Sequence, residues 1–130
     1  MKCLSMGLLA VTFSLMSMVV RADEGAISHA DLVAAIKDKK VALIDCNGTD
    51  TYKSGHIPGA IDFAVDGNDL SKKLPSDKSA LIVSYCGNEK CNAHKSGAVA
   101  ATKLGYTNVK HYSGGIAGWK SSGGEIEASK

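Results

Sequence analysis

The sequence contains few aromatic residues and a single arginine, Arg21, among its 130 residues. Aromatic residues make up 5% of the chain and are scattered, so they form no pattern typical of a surface that stacks nucleic-acid bases. Removal of the first 22 residues would leave no arginine and would set 13 lysines against 13 acidic residues. Such a domain is formally neutral and lacks a bidentate phosphate clamp, so no nucleic-acid partner is predicted.

Cysteine is also scarce, with four in the chain, too few for a small protein held together by disulfides. Cys3 lies at the N-terminus, and Cys46, Cys86 and Cys91 remain in the rest of the chain. This odd number leaves at least one thiol that is free, reactive or paired with another molecule. Cys86 and Cys91 form a C-x4-C pair, which is half of a structural metal site, so we predict no metal and no other cofactor.

The first 22 residues match the pattern of a secretory signal peptide. Lys2 supplies a positive charge, residues 4–20 form an uncharged apolar run, and Val20-Arg21-Ala22 provides small residues at the −3 and −1 positions. The run is short for a membrane span, which needs about 20 residues, and Arg21 closes it. We therefore expect cleavage after residue 22, one domain over residues 23–130, a periplasmic or secreted location, and no membrane association after cleavage.

Beyond residue 25, short apolar runs alternate with segments that favour helix. Strands are predicted at 41–45, 60–63, 79–85 and 108–112, and helices at 28–36, 66–74 and 93–104. This alternation predicts a three-layer α/β domain with a mainly parallel sheet. In such a sheet the reactive positions lie beyond the carboxyl ends of the strands. Asp45-Cys46, Cys86 and Ser113-Gly114 follow three predicted strands, so we expect them to share one edge.

The segment from Ser84 to Tyr106 carries the predicted chemistry. A buried strand leads into a polar loop at Cys86, and the loop returns as the start of a helix. Backbone N–H groups and a helix N-terminus around the loop would favour an anion, so we expect a lowered pKa for Cys86 and room for a sulfur anion or a persulfide. We expect Lys90, His94 and Lys95 to strengthen this positive field. The predicted loop residues are Gly87, Asn88, Glu89, Lys90, Asn92, Ala93, His94 and Lys95.

Three segments, in this order, resemble motifs of the rhodanese family. LIDCNGTDTYKSGHIPGAIDF (Leu43–Phe63) is similar to the opening motif, ALIVSYCGNEKC to the active-site strand and cysteine, and LGYTNVKHYSGGIAGW (Leu104–Trp119) to the closing signature. The resemblance implies a three-layer rhodanese-like fold with a mainly parallel five-stranded sheet and helices on both faces. It also implies that Cys86 forms a persulfide in a sulfurtransferase. The donor would be a small sulfur-containing anion, and the acceptor a thiol, a cyanide-like molecule or a protein.

The cysteine loop departs from the common family pattern. Cys91 stands where an arginine is common, and the interval from Cys86 to Leu104 is slightly longer than usual. Asp45-Cys46-Asn47 replaces a common Asp-Val-Arg. Because the size of the loop decides which anion fits, the resemblance does not establish thiosulfate as the donor.

The second loop thiol leaves several functions open. Cys91 is a candidate resolving thiol that would attack a Cys86 persulfide and leave a disulfide, or it is a loop residue without a chemical role. The alternatives to a sulfurtransferase are a thiol–disulfide or polysulfide-handling protein that uses the Cys86/Cys91 pair, and a non-catalytic sulfur carrier. Phosphatase chemistry ranks lowest because no arginine follows Cys86.

Three further residues are predicted to support the site. We expect Asp45 to bind backbone near the loop, Cys46 to pack near Cys86, and His56 in the segment Gly55-His-Ile-Pro-Gly59 to fix a turn rather than to act as a base. Gly114 and Gly115 indicate a turn or a close approach of backbone.

Overall fold

The structure, a computed structural model, describes residues 25–130. The predicted signal peptide, residues 1–22, and the two residues that follow it lie outside the described residues. Within residues 25–130, no helix is both long enough and apolar enough to cross a membrane.

Strands and helices alternate along the described chain. The strands are β1 (Ala42–Asp45), β2 (Ile61–Asp62), β3 (Leu81–Tyr85) and β4 (Asn108–Tyr112). The helices are α1 (His29–Lys37), α2 (Thr49–Ser54), α3 (Phe63–Asp66), α4 (Leu70–Lys73), α5 (His94–Lys103) and α6 (Gly115–Ser121), with a 3-10 turn at Gly67–Asp69. The four predicted strands are all present, whereas the helix predicted over 66–74 is a 3-10 turn followed by the short α4.

The four strands form one parallel sheet in the order β2-β1-β3-β4. The expected fifth strand is reduced to a single parallel bridge between Ala26 and His111 at the β4 edge. The N–H of Ile27 donates to the His111 carbonyl at 2.9 Å. Pairing stops there because the next residue, Ser28, already caps α1, its Oγ accepting the N–H of Asp31 at 3.1 Å. The described sheet therefore has four strands and a one-bridge edge.

Alternate side chains of each strand point to opposite faces of the sheet, and each face carries its own apolar core. One core contains residues of β1, β3 and β4 with α1 and α6: Leu43, Val83, Tyr85, Tyr112, Leu32, Ile116 and Trp119. The other contains residues of the same strands with α4 and α5: Ile44, Ile82, Val109, Leu70, Ala98 and Ala101. Helices thus cover both faces, and the three-layer α/β fold is confirmed.

The strand register aligns the carboxyl ends of three strands. Asp45 pairs with Tyr85, and Tyr85 pairs with Tyr112. The residues that follow these three therefore emerge at one edge, and the N–H of Cys46 donates to the Tyr85 carbonyl at 2.9 Å. This edge places Cys46 and Cys86 side by side, as the predicted parallel sheet requires.

Candidate active site

Cys86 follows β3 directly and is only 1% exposed. Its carbonyl accepts the N–H of Ile116 at 2.8 Å, and the carbonyl of Gly87 accepts the N–H of Ala117 at 3.0 Å. The first turn of α6 therefore holds the base of the cysteine loop. Gly115 has φ +61°, and a Cβ built on it would lie 2.6 Å from the Cys86 carbonyl oxygen. Only glycine permits this approach, so the close backbone contact predicted for Gly115 is confirmed.

A tight turn brings the second loop thiol back to the first. The Oδ1 atom of Asn88 accepts the N–H of Lys90 at 2.9 Å, and the Asn88 carbonyl accepts the N–H of Cys91 at 3.1 Å. The thiols of Cys86 and Cys91 then lie close enough for each to shift the pKa of the other. Neither cysteine forms a disulfide, and Cys91 is half-buried where Cys86 is buried. The C-x4-C spacing thus brings the two thiols within interaction distance.

The two sulfur atoms occupy the N-terminus of α5. Ala93 is the N-cap of this helix and has no side chain that can accept a hydrogen bond from it. Instead, backbone N–H groups face the two sulfurs: that of His94 lowers the pKa of Cys86, that of Ala93 lowers the pKa of Cys91, and that of Gly87 lowers both. A helix start leaves such N–H groups without partners inside the helix. Their influence on the thiols is the one that the sequence predicts for this loop.

The two thiols ionise in the opposite order to the one expected. The pKa of Cys86 is raised to about 11, first because the thiol is buried and second because of its interaction with the Cys91 thiol. The pKa of Cys91 is lowered, first by that interaction and second by the N–H of Gly87. The expectation of a low pKa for Cys86 is therefore wrong. Desolvation outweighs the N–H donors at Cys86, and the more exposed Cys91 loses its proton at a lower pH than Cys86 does.

His94 contacts the Cys86 sulfur through its side chain as well as through its backbone. Its Nδ1 atom lies 3.5 Å from the sulfur, and its ring stacks on His111 with the centroids 4.8 Å apart. The Oγ atom of Ser84 donates to the His94 carbonyl at 2.7 Å, so β3 fixes the first residue of α5. The imidazole is thereby held beside the thiol.

The other predicted loop side chains lie on the surface. Asn88, Glu89, Lys90, Asn92, Ala93 and Lys95 are exposed. The largest influences on the pKa values of the two thiols are burial, the partner thiol and backbone N–H groups, and neither lysine is among them. Water screens exposed charges, which accounts for the weak effect of these lysines on the thiols.

The supporting residues have distinct positions. Asp45 is fully buried, and its Oδ1 atom accepts the N–H of Asn47 at 2.8 Å, so it binds backbone after β1. Cys46 packs against the α5 core, with its sulfur 3.4 Å from Ser84 Oγ, and burial raises the pKa of its thiol. The Nδ1 atom of His56 donates to the Tyr52 carbonyl at 2.7 Å. The two rings stack with their centroids 3.7 Å apart. These are the contacts of a turn-fixing histidine.

Sequence reasoning missed two residues that shape the site. Gly97, in α5, leaves room for the Cys46 sulfur, which would lie 2.9 Å from a Cβ at this position. Ser84, in β3, donates a hydrogen bond from its Oγ atom to the His94 carbonyl. A glycine inside an alanine-rich helix is a signal of close packing that the sequence does offer. Within residues 25–130, no group of three or more His, Cys, Asp or Glu side chains is arranged to hold a metal ion.

This geometry defines a class of protein: an α/β domain that holds thiols at the carboxyl edge of a parallel sheet. Comparison with known proteins gives the same class. The rhodanese-like domain family matches residues 28–122. The BH2092 protein of Bacillus halodurans is similar at 33% identity with a TM-score of 0.65, over 76% of this chain and 73% of that one. The thiosulfate sulfurtransferase of Pseudomonas aeruginosa shares the fold, at 17% identity with a TM-score of 0.59, over 82% of this chain and 20% of that one.

A curated relative is the HTH-type transcriptional regulator Rv0324 of Mycobacterium tuberculosis, 30% identical over 106 residues. The match covers 81% of this chain, and the chain spans 46% of the regulator's length. Since the family match extends over most of the described residues, the chain belongs to the rhodanese-like domain family. Sulfur transfer is the activity of this family, which also has members without catalytic activity.

Proposed function

We propose that this domain transfers sulfane sulfur and holds it as a persulfide on Cys86. The observation that carries the proposal is the proximity of the Cys86 and Cys91 thiols to each other and to backbone N–H groups at the start of α5. Persulfide chemistry needs a thiolate to attack and donors to stabilise the charge on the terminal sulfur. The lowered pKa of Cys91 and the N–H groups of Gly87 and His94 support both requirements.

The transfer has two steps. A loop thiolate attacks the outer sulfur of the donor, a new S–S bond forms, and the rest of the donor leaves with the electron pair of the broken bond. With thiosulfate the leaving group is sulfite, and with polysulfide it is a chain one sulfur shorter. An acceptor thiolate or cyanide then attacks the outer sulfur of the persulfide, and the cysteine leaves as a thiolate. The N–H groups of Gly87 and His94 are placed to stabilise the persulfide anion at Cys86.

The donor class is a small sulfur-containing anion, and the acceptor is a thiol, a cyanide-like molecule or a protein. The compartment we propose is the periplasm or the cell exterior, which rests on the sequence pattern of residues 1–22. N-terminal sequencing of the protein recovered from cells tests this location, and a chain that retains Met1 in the cytoplasm would contradict it.

The proposed function is tested by intact mass and peptide mapping. We expect brief exposure to inorganic polysulfide or thiosulfate to add the mass of one sulfur atom to the loop cysteines, and cyanide or dithiothreitol to remove it. Cys46→Ala is the matched control and retains the added sulfur, whereas a Cys86→Ser, Cys91→Ser variant loses it. Sulfur that persists in the double variant, or that maps to Cys46, would show that the site is elsewhere.

A second candidate function is a disulfide cycle, and the contact between the two thiols favours it specifically. Attack by one thiolate on the inner sulfur of its neighbour's persulfide expels hydrosulfide and joins the two cysteines. Sustained release of sulfide that requires an added reductant would distinguish this cycle from simple transfer.

A further inference from the structure

We propose that Cys91 is the thiol that first takes sulfur from the donor, and that Cys86 receives the sulfur from Cys91. This inference rests on the proposed sulfur transfer and deepens it by assigning an order to the two thiols. It differs from a role for Cys91 as a resolving thiol, in which Cys86 would react first.

The positions of the two thiols support this order. Cys86 is 1% exposed, whereas Cys91 is half-buried in the loop and close enough to shift the pKa of Cys86. The first turn of α6 covers the Cys86 backbone, since Ile116 and Ala117 donate to the carbonyls of Cys86 and Gly87. A donor that enters from solvent therefore meets the sulfur of Cys91 before that of Cys86.

The groups around Cys91 favour attack from this residue. The Cys86 thiol and the backbone N–H groups of Gly87 and Ala93 favour the charged form of Cys91 and lower its pKa. At neutral pH a larger share of Cys91 than of Cys86 is therefore thiolate. The rate of attack on a sulfur–sulfur bond depends on the thiolate fraction of the attacking thiol and on access to it. Both properties favour Cys91.

The internal transfer balances without another reactant. Cys91 thiolate attacks the outer sulfur of the donor and becomes a persulfide anion, while the donor's remainder leaves. The proton of the Cys86 thiol passes through the imidazole of His94, whose Nδ1 lies 3.5 Å from the Cys86 sulfur, to the outer sulfur of that persulfide. Cys86 thiolate then attacks this sulfur, a bond forms between them, and the bond to Cys91 breaks. Cys91 returns to its thiolate form, and Cys86 carries the persulfide for the acceptor.

The test uses the full chain with Cys3→Ala and Cys46→Ala, so that only the two loop thiols remain. This parent and its Cys86→Ser and Cys91→Ser derivatives receive a short pulse of inorganic polysulfide, followed by an alkylating quench and peptide mapping. Cys86→Ser retains a hydroxyl that can donate to Cys91, and we expect it to acquire sulfur rapidly on Cys91. We expect Cys91→Ser to acquire sulfur on Cys86 at least about tenfold more slowly than the parent acquires its first sulfur.

The parent itself provides a second measurement that does not depend on how well a variant folds. With increasing pulse length, sulfur is expected on Cys91 first and on Cys86 later. The order is overturned if Cys91→Ser acquires sulfur as fast as the parent while Cys86→Ser acquires none, a result that leaves the proposed sulfur transfer standing. If the parent and both derivatives acquire no sulfur, the proposed function fails, and the order of the thiols fails with it.

Discussion

The Nδ1 atom of His94 lies 3.5 Å from the sulfur of Cys86, on the residue whose own N–H donates to that sulfur. Because the pKa of Cys86 is raised to about 11, this thiol needs a proton acceptor before it can react at neutral pH. An imidazole within contact distance is the usual side chain for this task. His94 is therefore the candidate base for the buried thiol, and we expect it to accept the proton of Cys86.

The first prediction concerns this histidine. Replacement by asparagine (His94→Asn) leaves a polar group near the Nδ1 position but removes the base. General bases typically contribute about 10² to 10⁴ in rate, and we expect formation of the Cys86 persulfide at neutral pH to slow by at least about tenfold. The measurement is the rate of sulfur addition to Cys86, followed by mass spectrometry across a range of pH. Because the missing base can be replaced by hydroxide, the defect should diminish as the pH rises.

His29→Asn is the matched control for this variant. His29 begins α1, and its Nδ1 lies 3.0 Å from the Tyr112 hydroxyl, so its replacement changes a part-buried hydrogen bond away from the loop. We expect this control to sulfurate Cys86 at the parent rate. Equal rates for His94→Asn and the parent at every pH would remove the base role of His94.

The second prediction concerns the ionisation of the thiol pair. Cys91→Ser removes the thiolate whose hydrogen bond and negative charge favour the protonated form of Cys86, so the pKa of Cys86 should fall below about 11. Cys86→Ala removes the strongest donor to Cys91, so the lowered pKa of Cys91 should rise towards its ordinary value. Titration of thiolate absorbance in the chain that lacks Cys3 and Cys46 measures both. Shifts in the opposite directions would show that the proton is shared differently between the two sulfurs.

The placement of the site at the sheet edge could be predicted from the sequence because it follows from strand ends. The unbroken apolar run before Cys86 indicates a buried strand, and in a parallel sheet the residues after Asp45, Tyr85 and Tyr112 must emerge together. Gly115 was predictable for a similar reason, since adjacent glycines after a strand indicate close backbone contact.

The ionisation of Cys86 could not be predicted because it depends on tertiary packing. The residues after Cys86 are polar and exposed, as a sequence pattern can show. The backbone of the loop is held by α6, which is distant in sequence, and the turn at Asn88 returns Cys91 towards Cys86. A helix N-terminus predicts a lowered pKa only when solvent also reaches the sulfur.

The third prediction concerns oxidation. A mild thiol oxidant should join Cys86 to Cys91 before either is joined to Cys46, because the first two thiols lie close together on one loop and Cys46 is packed beside Ser84. The rate should rise with pH through the lowered pKa of Cys91, since thiolate is the attacking form. Peptide mapping without reductant identifies the bridge, and Cys46→Ala serves as the control that still forms it. A bridge that includes Cys46 as the main product would contradict the contact.

The last prediction concerns Gly97, whose lack of a side chain lets α5 approach the sheet. A Cβ at this position would lie 2.7 Å from Ser84 Oγ and 2.9 Å from both the Cys46 sulfur and Ile44 Cγ2. Forced overpacking of this kind costs about 1–3 kcal/mol, and the helix propensity of alanine offsets about 1 kcal/mol of it, so Gly97→Ala should lower the free energy of unfolding by up to about 2 kcal/mol in urea denaturation. Gly118→Ala in α6 is the matched control, because its Cβ would lie 3.6 Å from the Tyr112 hydroxyl, an ordinary contact. Helix propensity alone favours alanine over glycine by about 1 kcal/mol, so the control should be neutral or stabilising.

Displacement of Ser84 should also shift its partner His94, so Gly97→Ala should slow sulfur addition to Cys86 where Gly118→Ala does not. Equal stability of the two variants would show that α5 can move away from the sheet at no cost.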